Sequence, residues 1–412
     1  MYKIWTKKSS EEIKTIVFEA LDDNVDYNDQ HVLGVPASYL DDEVFNQDAS
    51  FLKDAPFIST LIHNPNHIGC HTLGKSEPFF RGTQGIEVEL IDICAIDILK
   101  GEKGAHDGYV AAGGTEANMQ AIWIYRNYFI HQKKAKPDDI AIICSEDSHY
   151  SMDKAANVMM LDLLRIPVNE GDRSLSRENV SECIGQARKE GKKHFIVICN
   201  MMTTMFGSVD DPDVFVAALQ EAGVDFKIHV DGAYGGFYYP FTSAQSKLTF
   251  KNDNITSFTL DAHKMAQAPY GTGIFLIRKN YMHLSNTKEA SYVEGQDFTL
   301  IGSRSGANAI AVWMILVNKG PYGWKEKTII LQERSLWLCR QLDERKIEYY
   351  RHPYSNIVTI RSQYVSKGIA HEFGLVPDKH GNARWYKIVV MEHVTIEKLL
   401  LFLKSLDAEK TS

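Results

Sequence analysis

The stretch SFTLDAHKMAQAPYGTGIFLIRK, Ser257 to Lys279, reads as an apolar strand, a turn carrying Asp261, His263 and Lys264, a Pro/Gly break and a second apolar strand. Its flanks point toward burial for Lys264, where an ammonium is costly to keep charged. What surrounds this lysine therefore decides both fold and chemistry.

From about residue 108 short apolar runs alternate with helical patterns. GYVAAGG precedes a helix through Tyr128, IAIICSE precedes Ser151–Leu161, and HFIVICNMM precedes Pro212–Ala222. FKIHVDGAYGG, SFTLDAHK and GTGIFLIRK follow. Strands apolar on both faces and separated by helices predict a mainly parallel sheet covered by helices, with ligands at the carboxyl ends of the strands. Residues 1–80, interrupted by VPAS and NPN, read as an N-terminal arm and linking segment. Residues 81–320 form the large domain, and 321–412, with a helix over Trp324–Leu342 and the runs KIEYYRH, NIVTIRS and RWYKIVVM, form a small α+β domain.

The chain has 412 residues, 44% hydrophobic and 24% charged, with a net charge of −8. It offers no basic footprint for nucleic acid and no apolar run of membrane-spanning length. The start, MYKIWTKKSSEEIKTIVFEAL, reads as an amphipathic helix rather than a signal peptide. Six cysteines lie scattered without CxxC spacing, which predicts free thiols and a cytoplasmic location.

Three strand ends carry chemistry. GGTEANMQA, Gly113–Ala121, joins a strand to a helix through glycines that let an anion approach the backbone, with Gly114 and Thr115 at the helix start. Alone, the turn equally suits ordinary capping. Asp231 ends the apolar run of IHVDGAYGG and is either a cap or the counter-ion of something bound, and His149 follows another strand. A strand-end lysine that forms a Schiff base, an acidic partner and a phosphate turn are together what pyridoxal 5′-phosphate requires.

GGTEANMQA, EDSHYSMDKAANVM, TTMFGSVDDP, HVDGAYGGF, DAHKMAQAP and GSRSGANA, in this order, resemble the group II pyridoxal phosphate-dependent amino acid decarboxylases, and among them the archaeal-type tyrosine/aspartate decarboxylases. The resemblance implies the α/β aspartate aminotransferase-like fold (fold type I), with a mainly parallel seven-stranded sheet and a small C-terminal α+β domain. It implies α-decarboxylation of an L-amino acid to an amine and CO2, with Lys264, His149 and Asp231 as catalytic residues. Lys264 would carry the cofactor as a Schiff base, Asp231 would bind the pyridine nitrogen, His149 would stack on the ring and Ala233 would lie beneath it. Thr204 would lie close by, and Gly114, Thr115 and His263 would contact the phosphate, with Ser303 approaching from the partner subunit of a homodimer with shared sites. Asp261 departs from the pattern, and a carboxylate near a phosphate is expected to point away.

A carbon–carbon lyase of the sphingosine-phosphate lyase type is the alternative. HNPNHIGCH holds His63, His67 and His71 with Cys70, but its spacing matches no zinc motif, so no metal is expected, and one of its histidines has either a substrate-side or a structural role. For the substrate side chain, FYYPF could supply an aromatic pocket or pack in the core. Arg81 or Arg304 could meet an acidic group, although solvation is the default for a single arginine.

Overall fold

The computed structural model describes residues 2–27, 31–34, 39–74, 77–285 and 297–411, so the VPAS break lies outside the described residues. Strands β1 (His106–Ala111), β2 (Ile140–Ser145), β3 (Asp162–Ile166), β4 (His194–Asn200), β5 (Asp225–Gly232), β6 (Ile255–Asp261) and β7 (Gly273–Arg278) form one seven-stranded sheet in the order β1-β7-β6-β5-β4-β2-β3. β7 alone runs against its neighbours, and the remaining pairings are parallel. β1 thus reaches the sheet edge beside β7, far from it in sequence. β3 was missed in the sequence because it is the opposite edge, half exposed and carrying Asp162 and Arg165.

Helices cover both faces, which is why the central strands are apolar throughout. α1 (Ser10–Asp22), α2 (Pro56–His63), α3 (Arg81–Asp92), α4 (Gly114–Lys133), α5 (Ser151–Met159), α6 (Arg177–Lys189), α7 (Pro212–Glu221) and the short α8 (Tyr239–Thr242) precede the long α9 (Gly306–Glu344). On one face Ala121, Tyr125 and Phe129 of α4 and Met152 of α5 pack on Ile142, Ile196 and Phe275. On the other, Val17, Leu90, Ile184, Phe215 and Trp313 pack on Ile143, Val197, Val230 and Leu260. Each such buried aliphatic side chain contributes about 1.5–3 kcal/mol relative to exposure.

The N-terminal segment is tied to this core. Ser9 and Glu12 form a reciprocal cap that starts α1. The N–H groups of Lys3, Ile4 and Trp5 donate to the Asp97 carboxylate at 2.6–2.7 Å, and the Trp5 indole donates to Leu316 O at 2.7 Å.

α9 breaks at Gly320, whose φ of 65° is left-handed, just before Pro321. Its end packs with the smaller domain, where β8 (Tyr349–Tyr350), β9 (Ile357–Arg361), β10 (Val376–Pro377) and β11 (Trp385–Val389) form an antiparallel sheet backed by α10 (Lys367–Glu372) and α11 (Ile396–Thr411). Among the described residues no helix is long and apolar enough to cross a membrane.

Candidate active site

The carboxyl ends of β1, β2, β4, β5 and β6 open on one cavity of about 430 Å³. Gly114, Thr115, His149, Thr204, Asp231, Ala233, His263 and Lys264 all line it. Parallel strands make this convergence, since each contributes the loop at the same end.

Lys264 is less buried than its flanks suggest. Its side chain is 31% exposed, because β6 ends at Asp261 and the lysine sits on the turn beyond, facing the cavity. Asp261 does not point away, as expected from the sequence, but into the cavity. Its Oδ2 lies 3.3 Å from Lys264 Nζ and its Oδ1 2.8 Å from His263 Nδ1. The latter pair is close without a formed hydrogen bond. Burial raises the Asp261 pKa, opposed by Lys264 and His263.

Asp231 is buried, with Oδ1 accepting from the Ala233 N–H at 3.0 Å and Oδ2 from Asn118 Nδ2 at 2.9 Å. His149 Nδ1 accepts from the Ser151 N–H at 3.2 Å and contacts Ser151 Oγ at 3.0 Å, so its other nitrogen carries the proton when the ring is neutral. Burial lowers the His149 pKa, Asp231 opposes that, and Lys264 reinforces it. The Gly113–Gly114 turn is pressed close: a Cβ on Gly114 would stand 3.1 Å from Asp261 Oδ2 and 3.2 Å from Ala233 Cβ.

A cavity with a lysine on one wall, a hydrogen-bonded carboxylate on another and a glycine turn opening the 20-residue α4 has the donor set that pyridoxal phosphate needs. The model of the pyridoxal-dependent decarboxylase conserved domain matches residues 87–347. This chain belongs to the pyridoxal-dependent decarboxylase family. It is 50% identical over 398 residues to a tryptophan decarboxylase of Clostridium sporogenes, covering 96% of this chain and 95% of that one. It is 30% identical over 351 residues to a probable L-tyrosine/L-aspartate decarboxylase of Methanococcus maripaludis, covering 80% and 85%. The crystal structure of L-methionine decarboxylase from Streptomyces sp. 590 superimposes with a TM-score of 0.70 at 20% identity over 83% of this chain and 86% of that one, a likeness of fold. The decarboxylase is therefore pyridoxal phosphate-dependent and acts on an amino acid, which decides against the carbon–carbon lyase alternative.

One expectation changes. Arg304 is not a surface residue free to meet an acidic substrate: its Nη1 lies 2.5 Å from Glu87 Oε1, its other amino group donates to Gly69 O, and it is 7% exposed. HNPNHIGCH serves the same centre. His67 Nδ1 and His71 Nε2 contact Glu87 Oε2 at 2.8 and 3.0 Å, while the His67 N–H donates to Arg304 O and the Gly306 N–H to Pro65 O, both at 2.9 Å. The histidine run thus straps down GSRSG, and the Arg304 guanidinium pairs with the other Glu87 oxygen, Oε1. Arg81 pairs with Asp23 at the exposed surface. Phe237, Tyr238 and Tyr239 of FYYPF pack in the core, whereas Tyr234 lines the cavity. Ser303 is exposed, accepts from Asn66 Nδ2 at 3.3 Å and does not line the cavity of its own chain.

Arg304→Met should destabilise the decarboxylase by about 3–5 kcal/mol, because it strips the main cation from a buried carboxylate. The check is the denaturant midpoint at unchanged slope. Adding Glu87→Gln to Arg304→Met should recover part of the loss, and a single variant as stable as wild type refutes the assignment.

Proposed function

We propose that this decarboxylase converts L-tryptophan, or a closely related aromatic L-amino acid, to its amine. The observation that carries the reading is the 50% identity to a tryptophan decarboxylase across nearly the whole of both chains. Tyr150, 59% exposed, lines the cavity and offers a flat surface to an aromatic side chain. The two arginines that could have met an acidic side chain are committed to Glu87 and Asp23. Amine release from tryptophan, tyrosine, phenylalanine, aspartate, methionine and serine tests this, with kcat/KM for tryptophan expected at least about tenfold above that for aspartate, or about 1.4 kcal/mol of discrimination. Preference for aspartate or methionine overturns it.

Bound pyridoxal phosphate supplies the electron sink for the bond to the departing carboxylate. Within this proposal Lys264 Nζ would tether the cofactor and Asp231 would hold a proton at the ring nitrogen. His149, Ala233 and Thr204, which line the same cavity, would hold the ring. The N–H groups at Gly114 and Thr115, with His263, hold the phosphate. Asp261, which the sequence left without a role, holds the Lys264 ammonium in the cavity before loading.

The same proposal makes the enzyme a cytoplasmic homodimer in which Ser303 completes the partner's site. All six cysteines are free thiols, and the exposed Tyr270, Leu300 and Ile301 give association an apolar surface near the GSRSG turn. Mixing Lys264→Ala chains with Ser303→Trp chains should then restore about a quarter of wild-type activity, since half of the dimers are mixed and each has one intact site of two. No recovery after confirmed subunit exchange, or an active monomer, overturns the shared site. Arg304 is unsuitable for this test because its substitution attacks folding.

A further inference from the structure

From Asn118 on the cavity wall a buried chain of polar side chains runs behind Asp231. Asn118 Nδ2 lies 2.9 Å from Asp231 Oδ2 and 3.2 Å from Ser151 Oγ, while Asn118 Oδ1 lies 2.9 Å from His229 Nε2. His229 Nε2 is also 3.1 Å from Thr259 Oγ1. Its Nδ1 lies 2.7 Å from Ser257 Oγ, which is 2.5 Å from the Tyr125 hydroxyl. Tyr125, His229 and Ser257 are 0% exposed and Asn118 is 1% exposed. His229 and Asp231 are two residues apart in β5 and share a face of the sheet, so α4 bridges them with one amide.

The hydrogens in such a chain have one self-consistent direction. An ionised Asp231 accepts only, so Asn118 must turn its amide nitrogen to it and its oxygen toward His229. His229 must then donate from Nε2, leaving Nδ1 to accept from Ser257, which in turn accepts from Tyr125. Burial lowers the His229 pKa to about 4, with Asp231 opposing, so the ring stays neutral and has a single proton to place. With the other tautomer, Asn118 would flip and set a carbonyl oxygen against a carboxylate.

We propose that His229, acting through Asn118, is a positioning residue that keeps Asp231 a hydrogen-bonded carboxylate ready for the ring nitrogen of pyridoxal phosphate. This rests on the reading of Asp231 as the partner of that nitrogen. A histidine that only filled the core would affect all ligands of the cavity alike, whereas a positioning residue affects those that carry the nitrogen.

The experiment is cofactor binding to the cofactor-free protein, which needs no turnover. Dissociation constants for pyridoxal phosphate and for its 1-deaza analogue, with carbon in place of the ring nitrogen, are measured for wild type, His229→Leu, His229→Gln, Asn118→Leu and Asp231→Asn. The wild type should prefer pyridoxal phosphate. His229→Leu and Asn118→Leu should lower that preference about tenfold, the equivalent of one pKa unit at Asp231. His229→Gln, whose amide can donate from nearly the Nε2 position, should restore most of it. Equal weakening of both ligands, or an unchanged preference in the two leucine variants while Asp231→Asn abolishes it, overturns the role of His229. An unchanged preference in Asp231→Asn instead overturns the reading of Asp231 itself. Should the leucine variants fail to fold, 15N-histidine spectra of the wild type decide, because His229 must carry its proton on Nε2 and the opposite tautomer refutes the chain.

Discussion

Lys264→Ala should lower turnover by about 10⁴-fold or more, a loss of at least ~5.4 kcal/mol of transition-state stabilisation, while the protein stays folded. The side chain is 31% exposed and its ion contact is with Asp261 at 3.3 Å. Truncation therefore opens no core cavity, and the ion contact is buried on one side alone, the Asp261 side chain being 4% exposed. Asp261 is left buried with one cation fewer, but its pKa is already raised by burial, so it can take up a proton rather than unfold the site. Borohydride reduction of the loaded wild type followed by peptide mapping should place the cofactor mass on Lys264. The informative failure is Lys387, whose Nζ donates to Thr204 O at 2.8 Å and whose pKa is lowered by burial and by the charge of Lys264. Labelling there, or turnover that survives Lys264→Ala, would remove the lysine from the chemistry.

The site was legible where chemistry coincides with a strand end. Lys264, Asp231, His149 and the Gly114/Thr115 turn each follow an apolar run, and a parallel sheet brings such ends together whatever their separation in sequence. Asp261 was misjudged because a strand pattern does not tell on which side of the last residue the turn folds. Its three-residue spacing from Lys264 was the available signal. Arg304 and the histidine run were opaque for another reason. A buried ion pair joins residues 217 apart in sequence, and no local pattern marks an arginine as the partner of Glu87. Asn118 and His229 stood within motifs that were noticed, but a polar residue on a buried face shows its purpose only once its neighbours are placed. β1 and β3 mark the limits for the sheet: the order of its edges depends on tertiary packing, which the run of each strand does not encode.

Asp231→Ala should cost about 10³-fold in kcat, with a loss that shrinks as the pH falls. At an effective dielectric near 20, a carboxylate about 4 Å from a ring N–H cation is worth roughly 4 kcal/mol, about three pKa units. The carboxylate raises the pKa of the nitrogen, so the protonated form it stabilises is fully present below the unassisted pKa and is lost as pH rises through the assisted one. Without Asp231 the nitrogen titrates lower, and at neutral pH only a small fraction remains protonated. Lowering the pH by one unit should then recover about tenfold in the variant relative to wild type. Removing Asp231 also takes away the charge that opposes the lowering of the His149 pKa by burial, so both groups shift in the same direction in the variant. Asp231→Asn is the less clean change, since its amide nitrogen must face either the Ala233 N–H or the Asn118 amide nitrogen, both of them donors. A deficit in Asp231→Ala that stays constant between acid and neutral pH would mean that the residue acts by holding Ala233 and Asn118 in place, and that its charge does not serve the ring nitrogen.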